Sequence, residues 1–165
     1  MTGGGLTVYL LGGGFAGFVA AMVMVLPMGR QSDGWTPAFI AAAALARTTP
    51  EAISMGRASV VHHVTGLLAG SVYGILLYGL SGSIHRTNWY DVSVVNHIVA
   101  VTCVVVGVYL VFAHLVLPRA GGEVYEERAT AVRGQWVRST LTFAAALAVV
   151  GPPAIILMNG VFGTG

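Results

Sequence analysis

The sequence predicts an all-α integral membrane four-helix bundle, on three observations. Apolar residues make up 56% of the 165 and charged residues only 8%, whereas a soluble domain carries about 25% charged residues to cover its surface. Four uncharged apolar runs are each long enough to cross roughly 30 Å of hydrocarbon, which takes about 20 helical residues. The charges that remain lie almost wholly between those runs. Mean hydropathy is +0.81, and lipid is the solvent that makes such a composition viable.

The runs cover residues 6–28, 58–80, 93–117 and 141–162, and none contains Asp, Glu, Lys or Arg. Backbone groups in lipid must be satisfied within the segment, so runs of this length are helices. The first begins without a basic leader and continues for about 23 residues, which reads as a span rather than a cleaved signal. The length suits one membrane domain over 1–165.

Arginine placement sets an expected orientation in the cell membrane. Residues 29–57 hold Arg30, Arg47 and Arg57, and residues 118–138 hold Arg119, Arg128, Arg133 and Arg138; the second loop holds only Arg86. Basic residues favour the cytoplasmic side, so the first and third loops are expected there and both termini on the non-cytoplasmic side. Trp35, Trp89 and Trp136, with Tyr90 and Tyr125, fall just outside the spans, where amphipathic rings anchor at the headgroups.

Within the first loop, Thr36-Pro37 reads as a helix start leading into Ala38–Ala46, too short to span and expected as an interfacial helix. Thr49-Pro50-Glu51 repeats the signal, so the second span could begin near Pro50. In the third loop Pro118 is expected to stop the third helix, and residues 123–132 to form a separate exposed helix. Its mixed charge reads as a solvated face or a partner contact. A net charge of +2 leaves no electrostatic footprint for nucleic acid.

Gly66, Gly70 and Gly74 recur every four residues on the second span, with Ala58 and His62 continuing that face, and Gly13, Gly17 and Ala21 form a similar row on the first. Small residues at this spacing let two helix backbones approach closely, so the two rows are expected to pack as a glycine zipper. The lone cysteine, Cys103, has no disulfide partner and reads as a small buried apolar residue.

Histidines are the candidate chemistry. His62 and His63 sit about one turn inside the second span, and His114 about one turn from the same end of the third, at the depth of Met24 and Met28. Such a group reads either as packing and hydrogen bonding, as a contact to a quinone or lipid headgroup, or as a haem or copper site. His97, at the outer end of the third span, reads as a surface histidine or as an outer pair with His85. Gly151-Pro152-Pro153 predicts a broken fourth helix, because proline removes a donor and clashes with the preceding turn. Such breaks fit a helix to its neighbour or mark a transport site; Thr65, Ser71, Tyr73, Thr102, Tyr109, Thr142 and Asn159 are the residues available to line a path. The sequence contains no nucleophile elbow, HExxH, CxxC or phosphate-cradling loop with lysine, so catalytic and metal-ligand residues are assigned nowhere.

Residues 17–22 leading to Pro27-Met28, then His62-His63 with Gly66, Gly70 and Tyr73-Gly74, resemble a family of small uncharacterised polytopic membrane proteins of bacteria and salt-loving archaea. The resemblance implies four helices and no assigned activity. The resemblance also implies a place as an extra subunit beside respiratory oxidases or cytochrome b complexes. The expectation is therefore an accessory, cofactor-free subunit of a respiratory complex, partnered by lipid and other membrane subunits. The alternatives are a haem-, copper- or quinone-interacting protein using His62, His63 and His114, and a small transporter or channel.

Overall fold

The computed structural model describes residues 5–81, 88–89, 92–120 and 122–162. The chain is an all-α bundle in which four helices are long and apolar enough to cross a membrane. These are α1 (Leu6–Gly29), α3 (Met55–Leu80), a third spanning run that begins with α4 (Val94–Val111), and α6 (Gly122–Phe162), with the short α2 (Thr36–Ala46) after α1. A two-residue antiparallel ladder, Asn88–Trp89 against Val92–Ser93, precedes α4. His85, Arg86 and Tyr90 lie outside the described residues.

α1 is the hub, touching both α3 and α6 along its length, while α4 meets α3 and α6 more sparsely. Glycine makes this possible. A Cβ on Gly17 would fall 2.6 Å from Gly70 Cα, and one on Gly70 would fall 2.6 Å from Gly17 Cα, so the two backbones are in direct contact. Gly13 likewise faces Gly70 and Gly74, and Gly66 faces Gly17 and Ala21. The Gly12-Gly13-Gly14 triplet serves two neighbours at once. Gly12 lies against Ile155 of α6, and Gly14 lies against Ser71 of α3. Close packing of this kind supplies the association energy that apolar burial cannot supply in lipid.

The second span begins at Met55 rather than near Pro50. Ser54 is the N-cap, in extended geometry, and its hydroxyl accepts from the Arg57 amide at 3.4 Å. Pro50–Ala52 is a separate 3₁₀ turn. There the Glu51 carboxyl is held below its usual range by its own backbone amide and the Thr49 hydroxyl. The Thr-Pro-Glu signal is thus spent on a local turn.

The third run does not stop at Pro118. A π-helical turn, Phe112–Val116, joins α4 to the one-turn α5 (Leu117–Ala120), with Pro118 inside it. The Leu117 amide donates to the Phe112 carbonyl five residues back. Proline at 118 has no amide to give and crowds the carbonyl four residues earlier; the wider turn absorbs that without ending the helix.

Residues 123–132 do not form a separate helix, and the fourth helix is not interrupted at Gly151-Pro152-Pro153. α6 is one helix of 41 residues with both prolines inside it. What replaces the lost backbone bond is found at the site.

Candidate functional site

Among the described residues, two polar arrangements and an apolar cleft are built into the bundle. The first arrangement centres on His97, which is 3% exposed rather than on the surface. His97 Nε2 is 3.0 Å from the Ala148 carbonyl, and the Tyr73 hydroxyl is 2.8 Å from His97 Nδ1. A carbonyl only accepts, so Nε2 carries the proton and Nδ1 accepts from Tyr73. Ala148 is the residue four before Pro152, and neither Pro152 nor Pro153 has an amide with which to reach its carbonyl. His97 therefore supplies from α4 the hydrogen bond that proline removes from α6. Gly151 makes room for this, because a Cβ there would meet the Tyr73 hydroxyl at 2.7 Å. Gly151, Pro152, Tyr73 and His97 form one interlocked joint between α3, α4 and α6. Asn96 adds a second tie, donating to the Leu80 carbonyl at 2.7 Å.

The second arrangement contains the sequence candidates. His62 is buried, and its Nε2 donates to the Ala21 carbonyl of α1 at 3.0 Å. His63 Nδ1 donates to the Ser59 carbonyl one turn back, at 2.8 Å. The two rings stand edge to face, with centroids 5.1 Å apart, and Trp35 lies edge-on to His62 at 5.7 Å. His114 is exposed on the π turn, edge-on to Tyr109 at 6.4 Å. His62 and His63 are thus neighbours, and no three His, Cys, Asp or Glu residues come together as a metal-ligand group among the described residues. Asn159 is exposed rather than turned toward a neighbouring helix.

A cleft of about 460 Å³ opens beside His62. One wall is α3 from Val61 to Leu76, the other is α4 and the π turn from Cys103 to Val116, and α2 closes one end with Pro37, Ala38 and Ala41. Trp136, Thr140 and Phe143 of α6 form the floor. Its wall is almost entirely apolar. Cys103 is exposed here, not buried in the core. Trp136 is turned inward: it is 8% exposed and stacked on Phe112, with centroids 4.1 Å apart. Its indole Nε1 is buried and has no hydrogen-bond partner among the described residues. The Thr140 hydroxyl donates to the Trp136 carbonyl at 2.7 Å.

The cleft and the His97 joint were not foreseen from sequence. The joint had one legible signal, since a proline pair inside a span leaves a carbonyl that something must satisfy. The cleft had none, because its lining residues are indistinguishable in type from lipid-facing ones. No protein-family profile, curated protein or solved structure matches this chain.

Proposed function

We propose that this chain is an accessory, non-catalytic subunit of a larger membrane complex, of the electron-transport kind implied by its resemblance. α6 is the observation that carries the reading. At 1.5 Å per residue its 41 residues measure about 60 Å, twice the hydrocarbon thickness of roughly 30 Å. Roughly half of it has no need of lipid, and that half is where Glu123, Glu126, Glu127, Arg128, Arg133 and Arg138 fall. A continuous helix carrying both signs of charge beyond a span offers a rigid, addressable surface to another subunit. With the loops at 29–57 and 118–138 on the cytoplasmic side, that surface faces the cytoplasm. The buried histidines fit the same reading: His62 and His97 each donate to a backbone carbonyl on another helix, so they fasten the bundle.

Affinity purification from native membranes in mild detergent tests this. Other membrane subunits are expected to co-purify in fixed ratio, and to be lost from the Glu123→Arg, Glu126→Arg, Glu127→Arg triple variant. A chain that elutes alone as a monomer overturns the proposal. A Soret band in the preparation that disappears on His62→Ala would instead favour the haem alternative.

A further inference from the structure

We infer that the cleft between α3 and α4 binds an amphiphile with a hydroxylated aromatic head and an apolar tail, the chemistry of a membrane hydroquinone, and that the hydroxyl donates to His62 Nδ1. His62 is the group that decides the chemistry. Its ring is 9% exposed and lines the cleft. The Nε2 proton is committed to the Ala21 carbonyl at 3.0 Å. No acidic side chain lines the cleft to favour a second proton, so the ring is neutral and Nδ1 carries a lone pair. Nδ1 has no hydrogen-bond partner among the described residues, and it is not sealed off as the Trp136 nitrogen is. Polar atoms enclosed by apolar walls are ordinarily hydrogen-bonded, and a lone pair calls for a donor.

That requirement sorts the possible heads. A ketone, ester or ether only accepts, and gains nothing from Nδ1. A carboxylate or phosphate would enter charged, and no cationic side chain lines the cleft to meet it. A neutral hydroxyl satisfies the lone pair. The aromatic part of the head follows from its surroundings. α3 and α4 are successive spans, so the end of the α4 run, with Phe112 and its stacked partner Trp136, lies at the level of His62. A flat ring finds aromatic neighbours there. Farther along, Val72, Leu76 and Val104 offer only aliphatic surface to a tail. The lining follows α3 for fifteen residue steps, from Val61 to Leu76, about 22 Å. Its volume of about 460 Å³ lies in the range of small-molecule sites, in which a few placed polar groups orient a mostly apolar ligand. This site is independent of the subunit proposal, since it concerns the bundle interior and not the projecting part of α6.

Equilibrium binding of tritiated para-decylphenol to the full chain in dodecyl maltoside tests the inference. Saturation at one phenol per chain is expected. The methyl ether, para-decylanisole, keeps ring and tail but has no proton to give, and should compete at least tenfold more weakly. Hexadecanol keeps the hydroxyl and the carbon number but lacks the ring, and should compete several-fold more weakly. His62→Gln retains a donor for the Ala21 carbonyl and loses the ring acceptor, so it should lower phenol affinity tenfold or more. Gly107 lines the cleft, and a Cβ there meets nothing within 4 Å. Gly107→Leu should therefore plug the site, whereas Gly79→Leu, on an exposed face with equally open space, should leave binding unchanged. Equal competition by the phenol and its methyl ether would overturn the inference. So would hexadecanol competing as well as the phenol, or undiminished binding to His62→Gln. The competition series uses wild-type protein alone, so it decides the matter even if a variant fails to fold.

Discussion

At the scale of single residues, the joint around His97 is the most specific feature of the molecule. Interhelical hydrogen bonds within membranes contribute about 0.6–2 kcal/mol each. His97 makes two, to Tyr73 and to Ala148, so His97→Ala is expected to destabilise the bundle by about 2 kcal/mol. Tyr73→Phe, which removes one, should cost about 1 kcal/mol. Both are measurable as shifts in thermal or denaturant unfolding in detergent. Pro152→Ala makes a sharper test, because it returns an amide that can reach the Ala148 carbonyl. In that background His97→Ala should cost measurably less than in the wild type, a coupling a double-mutant cycle reads directly. Equal costs in both backgrounds would show that His97 does not replace the proline-deleted bond. None of this was legible at residue 97, since an apolar span offers no periodicity to tell an inward histidine from an outward one. It was half legible at residue 152, where the chemistry of proline demands a substitute donor but does not say which helix brings it.

At the scale of elements, the contact between α1 and α3 is set by what is missing from the side chains. Gly70→Leu would drive a side chain into the Gly17 backbone, where a Cβ alone already falls 2.6 Å from Cα. Overpacking costs about 1–3 kcal/mol where side chains can yield and more where only backbone is available. Gly70→Leu should therefore abolish the folded, monodisperse protein on size exclusion, while Gly79→Leu on the same helix should not. The glycine rows were readable because a four-residue spacing maps onto one helical face without any tertiary information. The extents of α3, α5 and α6 were not. Pro50, Pro118 and Pro152 each looked like a boundary, yet only the first lies outside a spanning helix. At 118 a π turn takes up the ring, and at 152 a neighbour's imidazole replaces the bond. Both remedies come from outside the three or four residues that a local rule considers.

At the scale of the whole molecule, the arginines bear on orientation across the membrane. The proposed orientation, with residues 29–57 on the cytoplasmic side as arginine asymmetry would favour, has a direct measurement. In a Cys103→Ala background, a cysteine at Ser81 should react with an impermeant maleimide added to intact cells. A cysteine at Arg47, which is exposed at the end of α2, should react only after permeabilisation. The reverse pattern would invert the proposed orientation, and with it the side proposed for a partner of the projecting part of α6. The asymmetric packing of the bundle also belongs to this scale. α1 sits tightly between α3 and α6, and α4 stands off from them, which is why the cleft opens beside α4.

By itself the sequence determined the solvent and the number of crossings, because lipid leaves a long uncharged segment no state but helix. It also determined which faces of α1 and the second span lack side chains, and so could approach one another. Tertiary structure alone decided that His97 serves Pro152, that Trp136 and Cys103 line a cleft, and that His62 and His63 pack against one another. The physical reason is the same in each case. When nearly every side chain in a span is apolar, burial no longer separates inward from outward positions, and only the packing of one helix against another assigns them.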